Sequence, residues 1–280
     1  MRHAPRDGVV LLGLAVIGLS AVLAVLAPAL APADPARNDL LARLTPPAWM
    51  DGGRWDHPLG TDTLGRDVVS RLLYGARVSL VVGFSAVILA GALGVTLGLV
   101  SGYYGGRLDD LLMRLGDVQL AFPALVLAIA VLAVVGSGLG NVVLVLGVTG
   151  WVTYARIARG ETLSLRHREF VEGARALGAR DIAILWRHVL PNVLPSITVV
   201  ATFSVARTII AEASLSFLGL GIPPPAPSWG AMLDEGRNYL TTGWWLALFP
   251  GLAILGVVLG INIVGDWLRD TLDPRLERSL

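Results

Sequence analysis

Four stretches of this chain carry no charged residue at all: 8–33, 78–106, 118–155 and 238–265. Each is longer than the roughly 20 residues that carry a helix across the hydrocarbon core of a bilayer. A soluble core is the other home for such helices, but buried helices rarely stay apolar on every side for so long. Composition agrees. Only 15% of the 280 residues are charged and 54% are hydrophobic, where a soluble domain carries roughly a quarter charged. The chain reads as an all-α integral membrane protein.

What is missing excludes several functions. There is no cysteine, so disulfides, thiol nucleophiles and cysteine metal sites are out. Lysine is also absent, and all 22 basic residues are arginine. A Walker A loop needs its Lys on the phosphates, so the chain holds no such ATP site. His3, His57, His167 and His188 are scattered and make no metal-ligand spacing. No His-Glu metal motif and no Gly-x-Ser-x-Gly is present, so no catalytic residue is expected. A net charge of +1, without Arg and aromatics interleaved, offers nothing to nucleic acid.

Six spans are expected, near 9–30, 78–103, 118–135, 139–158, 192–220 and 244–265. The first follows Arg2, His3 and Arg6, and Ala27-Pro28-Ala29 imitates a signal cleavage site. Its apolar run is longer than a signal core, so it reads as an uncleaved span. Gly94, Gly98 and Gly102 recur four apart in the second, as do Gly256 and Gly260 in the sixth. Such stripes let helix backbones approach closely. Gly136-Ser137-Gly138-Leu139-Gly140-Asn141 interrupts the longest uncharged run and predicts a tight hairpin between the third and fourth spans. Before the second span, Thr61-Asp62-Thr63 resembles a cap, and Leu64, Val68 and Leu72 repeat at i, i+4, i+8. That pattern predicts a short amphipathic helix over 61–77, lying on the membrane or on an ordinary surface.

Six spans place both termini on one side. With that side cytoplasmic, its segments hold fourteen arginines against seven opposite, which favours cytoplasmic termini.

The loop 161–191 is the longest internal polar segment. Phe170, Ala174 and Leu177 share a helical face; Gly178 ends that helix and Asp181 is placed to cap the next. A small apolar face ringed by Arg and Glu suits a groove in another protein; a helix resting on the membrane fits the periodicity equally. In the fifth span Ser204, Thr208, Glu212 and Ser216 follow at i+4, with Arg207 beside them. Ionisable groups at membrane depth are costly and face a bundle interior or cavity. Two readings stand level: a pathway or gate lining, and an interhelical clamp at a subunit interface. Arg207 and Glu212 are five apart and should not pair with each other.

Glu172-Gly173-Ala174, then Gly178 six residues after the Glu, then Leu190-Pro191 twelve and thirteen after the Gly, resembles the EAA loop of ABC importer permeases. Gly173 departs from the usual Ala, at up to about 1 kcal/mol of helix stability. His188 replaces a common Ile, and Arg-His-x-Leu-Pro-Asn is similar to the peptide and nickel branch. So are His57-Pro58-Leu59-Gly60-Thr61-Asp62 with Gly65-Arg66-Asp67, Phe122-Pro123, Glu212 through Gly221, Pro227-Ser228-Trp229-Gly230 and Leu272-Asp273-Pro274-Arg275. Together they resemble the second, C-type permease of a pair, over nearly the whole chain.

The resemblance implies a type I ABC importer permease fold in a bacterial inner membrane: a first span in 1–30, an extracytoplasmic segment 31–77, a five-helix core 78–266, and a cytoplasmic tail 267–280. It implies a B-type permease partner, two ATP-binding subunits that hold ATP and Mg, an extracytoplasmic binding protein, and no cofactor in this chain. Phe170, Glu172, Gly173, Ala174, Leu177, Gly178, His188, Leu190 and Pro191 would couple transport to ATP hydrolysis. Substrate stays open among dipeptides, oligopeptides, glutathione and nickel. A secondary transporter or channel is the rival class, and it would leave the EAA-like loop unexplained.

Overall fold

A computed structural model describes residues 4–272. Arg2 and His3, the ending Asp273-Pro274-Arg275 and Arg278 lie outside the described residues, as does the side chain of Arg6. Among the described residues the chain is helical, with one isolated antiparallel bridge from Thr61 to Asp67. The helices are α1 (Ala4–Leu30), α2 (Val68–Tyr104), α3 (Gly106–Leu120), α4 (Ala124–Val135), α5 (Leu139–Leu165), α6 (Glu169–Ala176), α7 (Asp181–Ile184), α8 (Leu190–Phe217), α9 (Trp229–Gly236) and α10 (Trp245–Leu272).

Five segments are long and apolar enough to cross a membrane: Gly8–Leu30, Val68–Tyr104, Leu139–Leu165, Asp181–Phe217 and Trp245–Leu272. α3 and α4 make a sixth only as a pair, bent by 88°. This corrects the expected straight span 118–135. Pro123 lacks the amide hydrogen a helix interior needs and disfavours helix at the residue before it. α4 alone, with 12 residues, is about 18 Å long, well short of the roughly 30 Å hydrocarbon core. The hairpin at 136–138 is present, with Gly136 and Gly138 at positive φ and the Asn141 amide donating to the carbonyls of Val135 and Gly136. α5 and α10 run past the expected ends at 158 and 265, so the helix includes residues 267–272 of the expected tail.

The chain divides into two compact units. One takes in the described parts of Met1–Phe84, Ile129–Val143 and Val205–Val264; the other takes in those of Ser85–Ala128, Leu144–Ser204 and Gly265–Leu280. In the second unit the glycine stripe of α2 lies on α5. A Cβ at Gly94 would sit 2.3 Å from the Trp151 carbonyl oxygen, and one at Gly98 2.4 Å from that of Ala155. In the first, Gly13 of α1 meets Gly260 of α10, where a Cβ on either would come within 3.1 Å of the other's carbonyl oxygen.

The expected amphipathic helix over 61–77 is not formed. Residues 61–67 make a buried turn, and helix begins only at Val68, continuous with the second span. Asp62 accounts for the difference. Its Oδ1 accepts the backbone N–H groups of Leu64 at 2.8 Å and Arg66 at 2.9 Å, a local alternative that competes with helix. Asp67 then caps α2, taking the N–H of Ser70 at 2.7 Å. Leu64 is exposed and Val68 fully buried, so the i, i+4, i+8 repeat does not mark one helical face.

Asp62 also anchors a buried ionic cluster in the first unit. Arg66 Nε donates to Asp62 Oδ2 at 2.6 Å, and Arg66 Nη2 to Glu235 Oε2 at 2.9 Å. Arg71 pairs with Asp62 and reaches Glu235 Oε1 at 2.9 Å. Two acids thus balance two arginines, while His57 contacts Asp67 at 3.1 Å. Truncating Glu235 to Ala leaves two arginines sharing one carboxylate inside the protein. Removing one partner of a buried pair costs about 3 kcal/mol, so Glu235→Ala should lower the unfolding midpoint of the detergent-solubilised protein by several degrees. An unchanged midpoint would show that the cluster adds no stability.

Candidate functional site

The loop after α5 builds its site in the second unit. Arg168 precedes α6, and Glu169 and Glu172 sit in the first turn, where the helix dipole favours acids. The helix ends as its sequence requires. Gly178 has φ +81°, its N–H bonds the Arg175 carbonyl at 3.0 Å, and the Ala179 N–H bonds that of Ala174 at 3.1 Å. This paired closure needs a left-handed residue after the last helical one, a conformation only glycine reaches without strain.

α6 faces two ways. Val171 is fully buried and pins the helix to its unit. Phe170 is 45% and Leu177 90% exposed, and Glu172 and Gly173 are exposed as well, while Ala174 is half-buried. A Cβ at Gly173 would meet nothing within 4 Å. The apolar face expected from periodicity is therefore present and uncovered, but its anchor, Val171, lies off that face and was not among the expected residues.

Asp181 does not cap α7 with its side chain. Its carboxylate instead accepts the hydroxyl of Tyr103, at the end of α2, at 2.8 Å. The same hydroxyl accepts Arg175 Nη2 at 3.2 Å, and the Arg175 guanidinium lies 5.5 Å from the Tyr103 ring centre. One tyrosine thus ties α2 to both α6 and α7. A second tie joins α2, α3 and α5. Buried Asp109 takes Arg159 Nε at 2.5 Å and Nη2 at 2.6 Å, together with the Ser101 hydroxyl at 2.5 Å. Sequence periodicity gave no signal for either tie, since partners 78 and 50 residues apart share no local pattern.

His188 lies in a π-helical stretch, Leu185–Val189, that runs directly into Leu190 and Pro191. A proline inside a helix removes a donor and clashes one turn back, and a wider turn relieves both. The Asn192 amide donates to the His188 carbonyl at 2.7 Å.

The polar residues of the fifth span separate. In the first unit Glu212 is fully buried. The Ser79 hydroxyl of α2 donates to it at 3.0 Å and that of Ser216 at 2.7 Å, with a further side-chain bond to Ser228. Ser228 also caps α9, the Trp229 ring N–H donates to the Leu72 carbonyl at 3.1 Å, and Gly230 abuts the Ala213 backbone. Glu212 and the Pro-Ser-Trp-Gly stretch are therefore one fastening inside the chain. Ser204 and Thr208 are half-buried, and Arg207 is exposed.

Comparison with known proteins agrees with this architecture. The family model described as binding-protein-dependent transport system inner membrane component matches residues 94–278. The dipeptide transport system permease protein DppC of Haemophilus influenzae is 41% identical over 268 residues, covering 96% of this chain and 91% of that protein. The glutathione transport system permease protein GsiD of Pectobacterium atrosepticum is 48% identical over 221 residues, covering 79% of this chain and 73% of that protein. Among solved structures, a chain of the MetNI methionine ABC transporter in inward-facing conformations shares the fold, with TM-score 0.58 at 19% identity over 72% of this chain and 96% of that one.

Two of these three fastenings, at Tyr103 and at Glu212, give separate expectations. Tyr103→Phe keeps the ring and removes the hydroxyl bonds, each worth about 1 kcal/mol net. Amide hydrogen exchange across 169–184 should quicken about fivefold, and an unchanged rate would show that Val171 alone holds the loop. At Glu212, Gln retains partners for the serines but Leu strands them, so the extracted yield of folded protein should fall for Leu and hold for Gln.

Proposed function

The chain belongs to the binding-protein-dependent transport system inner membrane component family, and from that premise we propose that it carries di- or oligopeptides as one of a pair of permeases. It is a multi-pass permease subunit of an ABC importer and not its ATPase. The pair would comprise this chain and a B-type partner. Two separate subunits would bind ATP and Mg, and an extracytoplasmic binding protein would deliver substrate. Both termini and the loop 161–191 would face the cytoplasm, in keeping with the arginine distribution. Family membership sets aside a secondary transporter or channel.

The observation that carries the coupling role is α6 itself. Its inner side is held by Val171 and the Tyr103 bonds, while Phe170 and Leu177 stand uncovered. A short helix with that division fits a groove on a partner ATPase. Glu172, Gly173 and Ala174 extend the surface, Gly178 sets its end, and His188, Leu190 and Pro191 begin the helix that would carry motion into the membrane. Closure of the two ATPases would then swing the permeases as near-rigid bodies. Peptides are favoured as substrate by the dipeptide permease relative. Glutathione is the second reading, favoured by the 48% identical relative.

Leu177→Glu and Gly178→Val test the coupling. The first puts a charge into the docking face; the second forces a β-branched residue to positive φ. Each should cut ATP-driven uptake in vesicles at least tenfold and reduce co-purification of the ATP-binding subunit, while membrane insertion holds. Normal uptake in both variants would refute the coupling assignment.

A further inference from the structure

α8 carries two charged residues, Arg207 and Glu212, and they have opposite surroundings. Glu212 is sealed inside the first unit with three serine partners. Arg207, five residues earlier, points about 140° away around the helix. It is exposed, and among the described residues nothing offers it a hydrogen bond or an ion pair. At about 1.5 Å per residue it lies about 25 Å from Leu190 and about 15 Å from Phe217, well inside a membrane span. A guanidinium does not face lipid tails at such depth; it turns to a water-filled path, to an anion or to a polar group on a partner subunit.

The surroundings of Arg207 narrow the choice. One and two turns further along the same face come Ile210 and Ser214, then Leu218. There a cavity of about 370 Å³ opens between Ile210, Ala213, Ser214, Phe217, Leu218, Leu233 and Ile254. The Ser214 hydroxyl is already spent on the Ile210 carbonyl at 2.8 Å. This face of α8 therefore offers one cation and, about 10 Å on, an apolar recess. At the recess the Arg237 guanidinium lies 5.3 Å from the Phe217 ring centre, but it is paired with Asp234 at 3.1 Å, whereas Arg207 is unpaired among the described residues. The α8 face itself presents no carboxylate or imidazole, and no cluster of metal-ligating side chains occurs among the described residues.

We propose that Arg207 is the point in the translocation pathway where the carboxylate of a peptide substrate is recognised, with an apolar side chain of the same peptide entering the neighbouring recess. The planar guanidinium matches a carboxylate in a two-bond fork. A free metal cation would be repelled there, so Arg207 favours substrates that present a carboxylate, such as peptides and glutathione, over nickel. The inference rests on the reading of the chain as a peptide importer permease.

The test uses the assembled importer, with both permeases, the ATP-binding subunits and the binding protein, in proteoliposomes. Uptake of an apolar dipeptide is compared with uptake of its C-terminal amide, at concentrations that give equal occupancy of the binding protein. The unmodified importer should carry the acid about tenfold faster or more, the worth of one charge-assisted hydrogen bond. Arg207→Gln should slow the acid until the two rates meet, and Arg207→Lys should keep most of the preference. An acid-to-amide ratio in Arg207→Gln equal to that of the unmodified importer overturns the proposal. So does loss of the permease pair in Arg207→Gln with recovery in Arg207→Lys, because the charge then serves the partner subunit. Failure of the unmodified importer to move any peptide in the presence of ATP overturns the peptide-importer reading, and the proposal with it.

Discussion

Lipid tails are as apolar as leucine side chains, so helices in a membrane gain little by hiding apolar surface from them. What holds this chain together must come from close packing and from polar contacts that have no competitor in hydrocarbon. Both are present. Gly94 and Gly98 bring α2 against the backbone of α5, and Gly13 and Gly260 bring α1 against α10. The Gly94 and Gly98 positions have no room for even a methyl group, and those contacts would be lost with any larger residue. Polar fastenings inside each unit join residues distant in the chain: Glu212 to Ser79 in the first, Asp109 to Arg159 and Tyr103 to Asp181 in the second.

The ionic cluster of Asp62, Arg66, Arg71 and Glu235 follows the same logic with higher stakes. Burying four charges is expensive, and the attraction repays it only when geometry and hydrogen bonds are nearly complete. Here the signs balance, and Asp62 also takes two backbone N–H groups. Such a cluster specifies one arrangement more than it adds stability. Asp62 holds the turn, Arg71 belongs to α2 and Glu235 to α9, so the cluster determines where three elements of the first unit meet. Gly65 is part of the same device. At φ +74° it passes so near the Asp39 backbone that a Cβ there would lie 1.7 Å from its carbonyl oxygen.

Much of this was legible in the sequence, and the limits have physical causes. Charge-free runs located the spans other than α8, which carries Arg207 and Glu212, because hydrocarbon excludes charge over a fixed length. They did not show the bend before α4, since an uncharged run looks the same straight or broken; Pro123 was the available signal. Gly178 marked the end of α6 correctly because a left-handed closure leaves few choices of residue. Asp181 and the 61–67 turn were misjudged for one reason. Asp caps helices in local sequence, but in both places its carboxylate was claimed by other groups: at Asp181 by Tyr103 from 78 residues away, at Asp62 by the backbone N–H groups of Leu64 and Arg66 and by the Arg66 and Arg71 side chains. The polar residues of α8 could be picked out but not sorted, because spacing alone leaves open which face of a helix looks inward.

That sorting bears on how a pathway can coexist with a rigid frame. A helix that both holds the fold and meets a moving substrate needs its two kinds of polar group kept apart. On the proposed reading α8 would do this by rotation. Glu212 and Ser216 are spent on internal bonds and are unavailable to substrate, while Arg207 keeps all its donors free of the frame. The same division recurs in α6, where Val171 is committed inward and Leu177 outward. On the proposed reading, force enters at the uncovered face of α6, passes through the Tyr103 bonds to α2, and continues through the π-helical turn into α8. A loose connection at either place would absorb the motion of the ATPases before it reached the membrane. On that reading the hydroxyl of Tyr103, which serves Asp181 and Arg175 at once, would contribute to coupling alongside the docking surface.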